Sequence, residues 1–377
     1  MVISIFLNSS ELGELAYLLE EFLKIPCLLN GDGFYVKLFE QDIESTELQK
    51  DKKCLEDYEE YYNSLAIFGD RPLLEIVKSE YDAIANCDFL IFMEDFSRNQ
   101  TETTDMWTKR CSTRINAMAD IININAKRAL RVIFCNEGPI CFMATCMMEY
   151  CTVLIPSNIV ALTADRGLSV ISAVSEKTGV PVPKIGAPPV WGFVGCNEYV
   201  DESSIIFKAH ILKPYKRALR APNISTLPLG TVIPELRMMS YLLPNQHDEI
   251  IQLVTERKKN IEHYLNRKPF LSRLRALKSL LELWCEPNPS DQVISLGVCS
   301  NGSYGIRPGI VFSQPCIQDQ KQRWKPFENF SFVNDAIALK IQECVEDAEL
   351  LLKNIGFDMS SYCPLSDASQ LTLQLDK

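Results

Sequence analysis

The chain opens on Val2-Ile3-Ser4-Ile5-Phe6-Leu7, a run interrupted by a single serine. A strand that is apolar on both faces must be covered on both, which is the habit of parallel sheets flanked by helices. Asn8-Ser9-Ser10 then offers side chains suited to cap a helix. Leu12, Leu15, Ala16, Leu19 and Phe22 follow at helical spacing, so residues 11–23 are expected to form that helix. Strand, tight turn and helix in this order is how a dinucleotide-binding βαβ unit begins, although any strand-to-helix turn shares the pattern. Further strands are expected at 33–40, 87–93 and 130–136, and the class is α/β.

Between these strands the spacing predicts helices at 73–85, 104–126 and 140–150, with a charged helix or loop over 43–62. The 140–150 stretch is rich in Met and Cys and is expected to be core, not a metal box. In the second half a strand is expected at 205–208, then a proline-rich link over 214–234. Amphipathic helices are expected at 247–266, 272–284 and 332–352. A hairpin is expected over 293–315, where two strand-like runs flank a glycine-containing turn. Residues 358–377 are polar and are expected to form a disordered tail.

Composition excludes several classes. A chain of 377 residues suits two domains, and 47% hydrophobic with 23% charged residues is ordinary for a soluble protein. A net charge of -11 argues against nucleic acid, which calls for clustered cations. Arg257-Lys258-Lys259 reads as a solvated helix face. The 14 cysteines lack both disulfide-scaffold spacing and paired zinc spacing, so they are expected to be reduced, in the cytoplasm, with no metal. No apolar run is long enough for a membrane span, and Met1–Phe6 is too short for a signal peptide.

Val190-Trp191-Gly192-Phe193-Val194-Gly195-Cys196-Asn197-Glu198-Tyr199-Val200-Asp201 resembles the V-W-G-N-H-S-S-x-x-Y-P-D segment of cytosolic malate dehydrogenases. Residues 293–315, running S-L-G-V-C-S-N-G-S-Y-G-I-R-P-G-I-V-F-S-Q-P from Ser295, resemble the S-L-G-I-x-S-x-G-x-F-G-I-x-x-G-I-V-F-S-x-P of that family's 1B type. The resemblance is to the lactate/malate dehydrogenase superfamily. It implies a Rossmann-like domain over 1–151, an α+β dehydrogenase-type domain over 152–357, NAD as cofactor and a homodimer.

What the resemblance implies for the site is mostly loss. The family's catalytic His falls on Val194, which cannot carry a proton. Residues 160–180 match the family's L-T-x-L-D-H-N-R-A helix, where the Asp that orients this His falls on Arg166, with Asp165 one residue early, and one substrate arginine falls on Ser169. In the loop over 94–104, Arg98 keeps the first substrate clamp while the second falls near Thr104. Asn136 keeps the first Asn of the family's N-P-A-N-T, and Ser272 lies one position from its substrate serine. For NAD, Ser10 replaces the first turn glycine and Gly13 remains, while Glu11 and Glu14 would repel a diphosphate. Glu40 is the acid placed to hold ribose hydroxyls. The three histidines, His210, His247 and His263, have no evident sequence-local Asp to make them a base. The expected function is therefore a dehydrogenase-like pseudoenzyme with a binding or scaffolding role. Two alternatives stand beside it: a weak or altered NAD-dependent malate or 2-hydroxy acid oxidoreductase, and an active enzyme on another 2-hydroxy acid.

Overall fold

The computed structural model describes residues 1–8, 12–40, 49–212, 232–243, 246–332 and 335–357. Ser10, Glu11, the 214–231 part of the proline-rich link and the tail after 357 lie outside these residues. The first half runs β1 (Val2–Leu7), α1 (Leu12–Phe22), α2 (Pro26–Leu29), β2 (Tyr35–Glu40), α3 (Gln49–Ser64), β3 (Leu74–Ile76), α4 (Glu80–Ile84) and β4 (Phe89–Phe92). It continues through α5 (Thr104–Asn125), β5 (Arg131–Phe134), α6 (Ile140–Tyr150), β6 (Ile159–Leu162) and α7 (Ala164–Thr178). The rest is β7 (Val190–Phe193), β8 (Asn197–Val200), β9 (Ile206–Leu212), β10 (Val232–Met238), α8 (His247–Leu265), α9 (Leu271–Cys285), β11 (Ile294–Cys299), β12 (Val311–Gln318), β13 (Trp324–Pro326) and α10 (Asp335–Asn354).

One sheet organises the chain, in the order β3-β2-β1-β4-β5-β6-β11-β12-β7-β8, with β13 beside β12. The first six strands are parallel in the 3-2-1-4-5-6 order of a doubly wound nucleotide fold. β11 then joins β6 antiparallel and carries the hairpins on.

The apolar runs behave as double-faced strands should. Ile3, Ile5 and Leu7 of β1 join one core with Phe89 and Ile91 of β4, and with Leu15, Leu19 and Phe22 of α1. Phe6 joins the opposite core with Leu90 and Phe92 of β4, and with Ile115, Met118 and Ile122 of α5. Alternation with a period of two divides each strand between two helix layers.

Two sequence expectations need correction. Residues 73–85 are not one helix. Leu74 pairs with Val36 as the edge strand β3, and the helix starts only at Glu80, where the Ser79 side chain accepts from the Asp82 amide. Residues 160–180 likewise begin as strand: Ile159-Val160-Ala161-Leu162 are all buried and form β6 against β5, and the helix begins at Ala164. No disulfide joins the described cysteines, most of which are buried.

Where β11 crosses β6, the sheet admits no side chain at Gly297. A Cβ there would lie 2.7 Å from the Ala161 Cβ and 3.0 Å from the Cys141 sulfur. Gly297→Ala is expected to destabilise the protein by about 1–3 kcal/mol, the usual cost of overpacking. The measurement is the urea midpoint at unchanged m-value, and an unshifted midpoint would show that this crossing can relax.

Candidate functional site

Beyond the carboxyl ends of β5 and β6 lies a cavity of about 520 Å³. α/β sheets place their ligand sites at this end. Glu137 enters from the turn after β5, Asp165 and Arg166 from the first turn of α7, and Arg273 from the first turn of α9. The outer wall is one stripe of α8: Val254, Arg257, Lys258, Ile261, Glu262 and Leu265, which recur at helical spacing.

α8 ends at Asn266, which adopts the left-handed conformation (φ 50°, ψ 31°) and turns the chain sharply. Residues 267–270 then cross toward α1. The Arg267 guanidinium lies 5.1 Å from the Phe270 ring centre, and Phe270 in turn packs on Tyr17 of α1 at 5.7 Å. Arg267 also lies so close to the first turn of α1 that a Cβ on Gly13 would stand 3.4 Å from its Nη1.

The inner end is an ion network. Arg273 donates to the Glu137 carboxylate. Arg166 stands among three acids, 3.9 Å from Glu137, 3.8 Å from Asp165 and 3.7 Å from Glu198. These are Coulombic contacts longer than hydrogen bonds, and both Arg166 Nε and Asp165 Oδ1 are buried without a hydrogen-bond partner. Burial alone would push the Arg166 pKa down, but the surrounding carboxylates raise it above its ordinary value. Burial works against ionised Glu137 too, and Arg273, Arg166 and Lys268 still hold its pKa below the usual carboxylate range. Glu14 goes the other way: burial raises its pKa despite Arg273 and Arg267 nearby.

The residues singled out in the sequence are scattered around this cavity more than gathered in it. Arg166, Ser169 and Ser272 line it. Val194 does not. It is 0% exposed, in the turn between β7 and β8, where its carbonyl accepts from the Cys141 amide at 3.4 Å. Gly195 beside it has φ 93° and packs directly on the backbone of Gly138 and Pro139, which only a glycine permits.

Arg98 is exposed, and its Nε donates to the Glu102 carbonyl at 2.8 Å. Arg110 grips the Glu102 carboxylate at 2.8 and 3.0 Å, chiefly by these hydrogen bonds, and holds its pKa down to about 2. The loop over 94–104 is therefore held by its own residues, by Arg110 of α5 and by Lys268, whose Nζ donates to Ser97 Oγ at 2.9 Å, with Arg98 outside the cavity lining. Asn136 is buried, donating to the Glu137 carbonyl at 3.0 Å, and its Oδ1 has no partner. Gly13 sits in the first turn of α1, and Glu40, only 3% exposed, ends β2 opposite Leu7. Ser10 and Glu11 lie outside the described residues.

Of the charged run 257–259, Arg257 and Lys258 are partly exposed and line the cavity, while Lys259 is exposed. The signal was present in the sequence: 254, 257, 258, 261 and 265 form a helical stripe that mixes cations with apolar side chains. Glu137 and Arg273 were missed because their partnership spans 136 positions. Among the described residues no histidine lines the cavity. His247 lies elsewhere, its Nδ1 2.7 Å from the buried Glu202 carboxylate and its ring 4.8 Å from Tyr199.

The fold is that of the lactate and malate dehydrogenases. A Trichomonas vaginalis lactate dehydrogenase superposes with a TM-score of 0.70 at 18% identity, covering 94% of this chain and 98% of that one. A malate dehydrogenase from Naegleria fowleri gives 0.68 at 19% identity over 94% and 98%.

Among curated proteins, the chain is similar to "Putative malate dehydrogenase 1B" of Branchiostoma floridae, 25% identical over 275 residues, 72% of this chain and 50% of that protein. It is similar also to "Malate dehydrogenase 3, cytoplasmic" of Arabidopsis thaliana, 24% identical over 210 residues, 55% of this chain and 56% of that protein. The resemblance to the superfamily, its 1B type included, thus extends through the fold. The chain spans about half the length of these curated relatives. No protein-family model matches it.

Two outcomes follow. Arg273→Met is expected to destabilise the protein by roughly 2–3 kcal/mol in denaturant unfolding, because it strips a mostly buried carboxylate of its nearest cation. An unchanged midpoint would mean that Arg166 alone suffices. For His247, the hydrogen bond that its ring donates to the Glu202 carboxylate raises the imidazole pKa above its unfolded value. Its contribution is therefore fully present below the ordinary imidazole pKa and lost as pH rises through the raised value. Thermal melts from mildly acidic to mildly alkaline buffer should show that loss, and His247→Gln should flatten it. Parallel curves would contradict the coupling.

Proposed function

We propose that the chain uses the dehydrogenase frame to bind and not to turn over. The observation that carries this reading is the pair at the family's catalytic positions. Val194 is fully buried away from the cavity, and Arg166 stands where the resemblance places the orienting Asp. Oxidising a 2-hydroxy acid needs a hydride acceptor and a base for the hydroxyl proton. A positioned base contributes about 10²–10⁴-fold in rate, and a guanidinium, which stays protonated, cannot serve as one. An arginine at position 166 would also repel an imidazolium rather than orient it.

The residues present do not fit a dinucleotide laid along the family's path. Arg267 occupies the space over the first turn of α1 where the diphosphate would lie, so its bulk and not its charge stands in the way, and Glu14 adds a carboxylate beside it. Glu40 buries the acid that would hold the ribose. One similar solved structure, of a Trichomonas vaginalis lactate dehydrogenase, is a complex of that protein with NADH and oxamate. Cytoplasmic location, a homodimer and protein partners are parts of this proposal, which rests on the resemblance. Among the described residues, no helix is long and apolar enough to cross a membrane.

A second reading, a weak or altered oxidoreductase, draws on the unpartnered Arg166 Nε and Asp165 Oδ1 in a cavity at the family's substrate end. Oxaloacetate-dependent oxidation of NADH separates the two. The wild-type chain is expected to stay at the buffer rate beside an authentic malate dehydrogenase. Val194→His is expected to restore nothing, because position 194 is walled off and Arg166 opposes an imidazolium. Turnover by the wild type above the buffer rate would establish the oxidoreductase reading instead.

A further inference from the structure

The cavity has two electrically different ends. At the inner end Arg166 and Arg273 face Glu137, Asp165 and Glu198, so the cations there are already balanced by carboxylates. At the outer end Lys258 and Arg267 line the wall, and among the described residues neither has a carboxylate at ion-pair distance, although Glu262 lines the same wall and Glu14 lies near Arg267. Between them the lining is largely apolar: Val254, Ile261, Leu265 and Phe270. Ile261 and Leu265 remain 42% and 54% exposed, so their burial is still to be gained. A volume of about 520 Å³ falls within the range of small-molecule sites.

We infer that this cavity binds an organic anion with one charged head and an apolar body, such as an aryl or branched alkyl carboxylate, sulfonate or phosphate monoester. The head lies against Lys258 and Arg267, and the body covers Ile261, Leu265 and Phe270. The inference rests on the binding role proposed above and gives it a ligand class. A small dicarboxylate is disfavoured, because its second charge would meet the acids of the inner end. Arg267 suits the head well, since its planar fork donates paired hydrogen bonds and its face is already braced on Phe270. The apolar body contributes by leaving water, and burying each methylene adds about 0.8 kcal/mol.

The test uses 1-anilinonaphthalene-8-sulfonate as the anionic probe and N-phenyl-1-naphthylamine as its neutral counterpart. Fluorescence titration of the whole chain is expected to show one saturable site for the sulfonate, with weaker binding of the neutral amine. The double variant Lys258→Glu and Arg267→Glu is expected to lose about tenfold or more in sulfonate affinity, the scale of a lost charge-assisted contact. It should bind the neutral probe as the wild type does, which also reports that the variant is folded.

Equal binding of both probes, sulfonate binding unchanged in the variant, or no saturable site would overturn the inference. NADH oxidation measured on the same preparation keeps the two proposals apart. Turnover with an intact sulfonate site removes the pseudoenzyme reading alone. Absence of turnover without such a site removes this inference alone.

Discussion

A carboxylate held among cations at the carboxyl end of the main sheet shapes the candidate site. Glu137 follows β5, is gripped by Arg273 of α9 and is approached by Arg166 of α7. Its ionisation is costly in that setting, and the two guanidiniums more than offset the cost. The same three side chains therefore tie the parallel half of the sheet to the helices that pack beyond it. They also fix the sign of the inner cavity. An arginine on α7 can be kept there because Asp165 and Glu198 share its charge.

That arrangement and a catalytic His-Asp pair are mutually exclusive at the same positions. The turn carrying Val194 closes by laying Gly195 on Gly138, with no side chain between the two backbones. Gly138, at φ 118°, lies as close to the Phe96 carbonyl. Three loops that follow separate strands thus meet through glycine and backbone. They leave position 194 in the core and open the cavity toward α8 instead.

The sheet was largely legible in the sequence because its strands are apolar on both faces and its helices keep a 3.6-residue stripe. Misassigned stretches were short or joined two elements. β3 contributes three residues, and β6 runs into α7 with only Thr163 between them. The positions that the resemblance assigns to catalysis were legible, and Arg166 among them lines the cavity. The ion network was not, since Glu137 meets Arg273 only through the fold. The cations of α8 were visible, but not that two of them line the cavity. A charged run is usually solvated, and only the chain reversal at Asn266 brings the neighbouring Arg267 over α1.

The central claim is that this frame no longer transfers a hydride, and a single-turnover experiment tests it most directly. Protein in large excess over NADH would be mixed rapidly with saturating oxaloacetate while the reduced nicotinamide absorbance is followed. This detects chemistry even where product release is slow. The account predicts a trace that matches NADH and oxaloacetate without protein. A protein-dependent loss of reduced nicotinamide, reaching the full amount of NADH supplied, would contradict it.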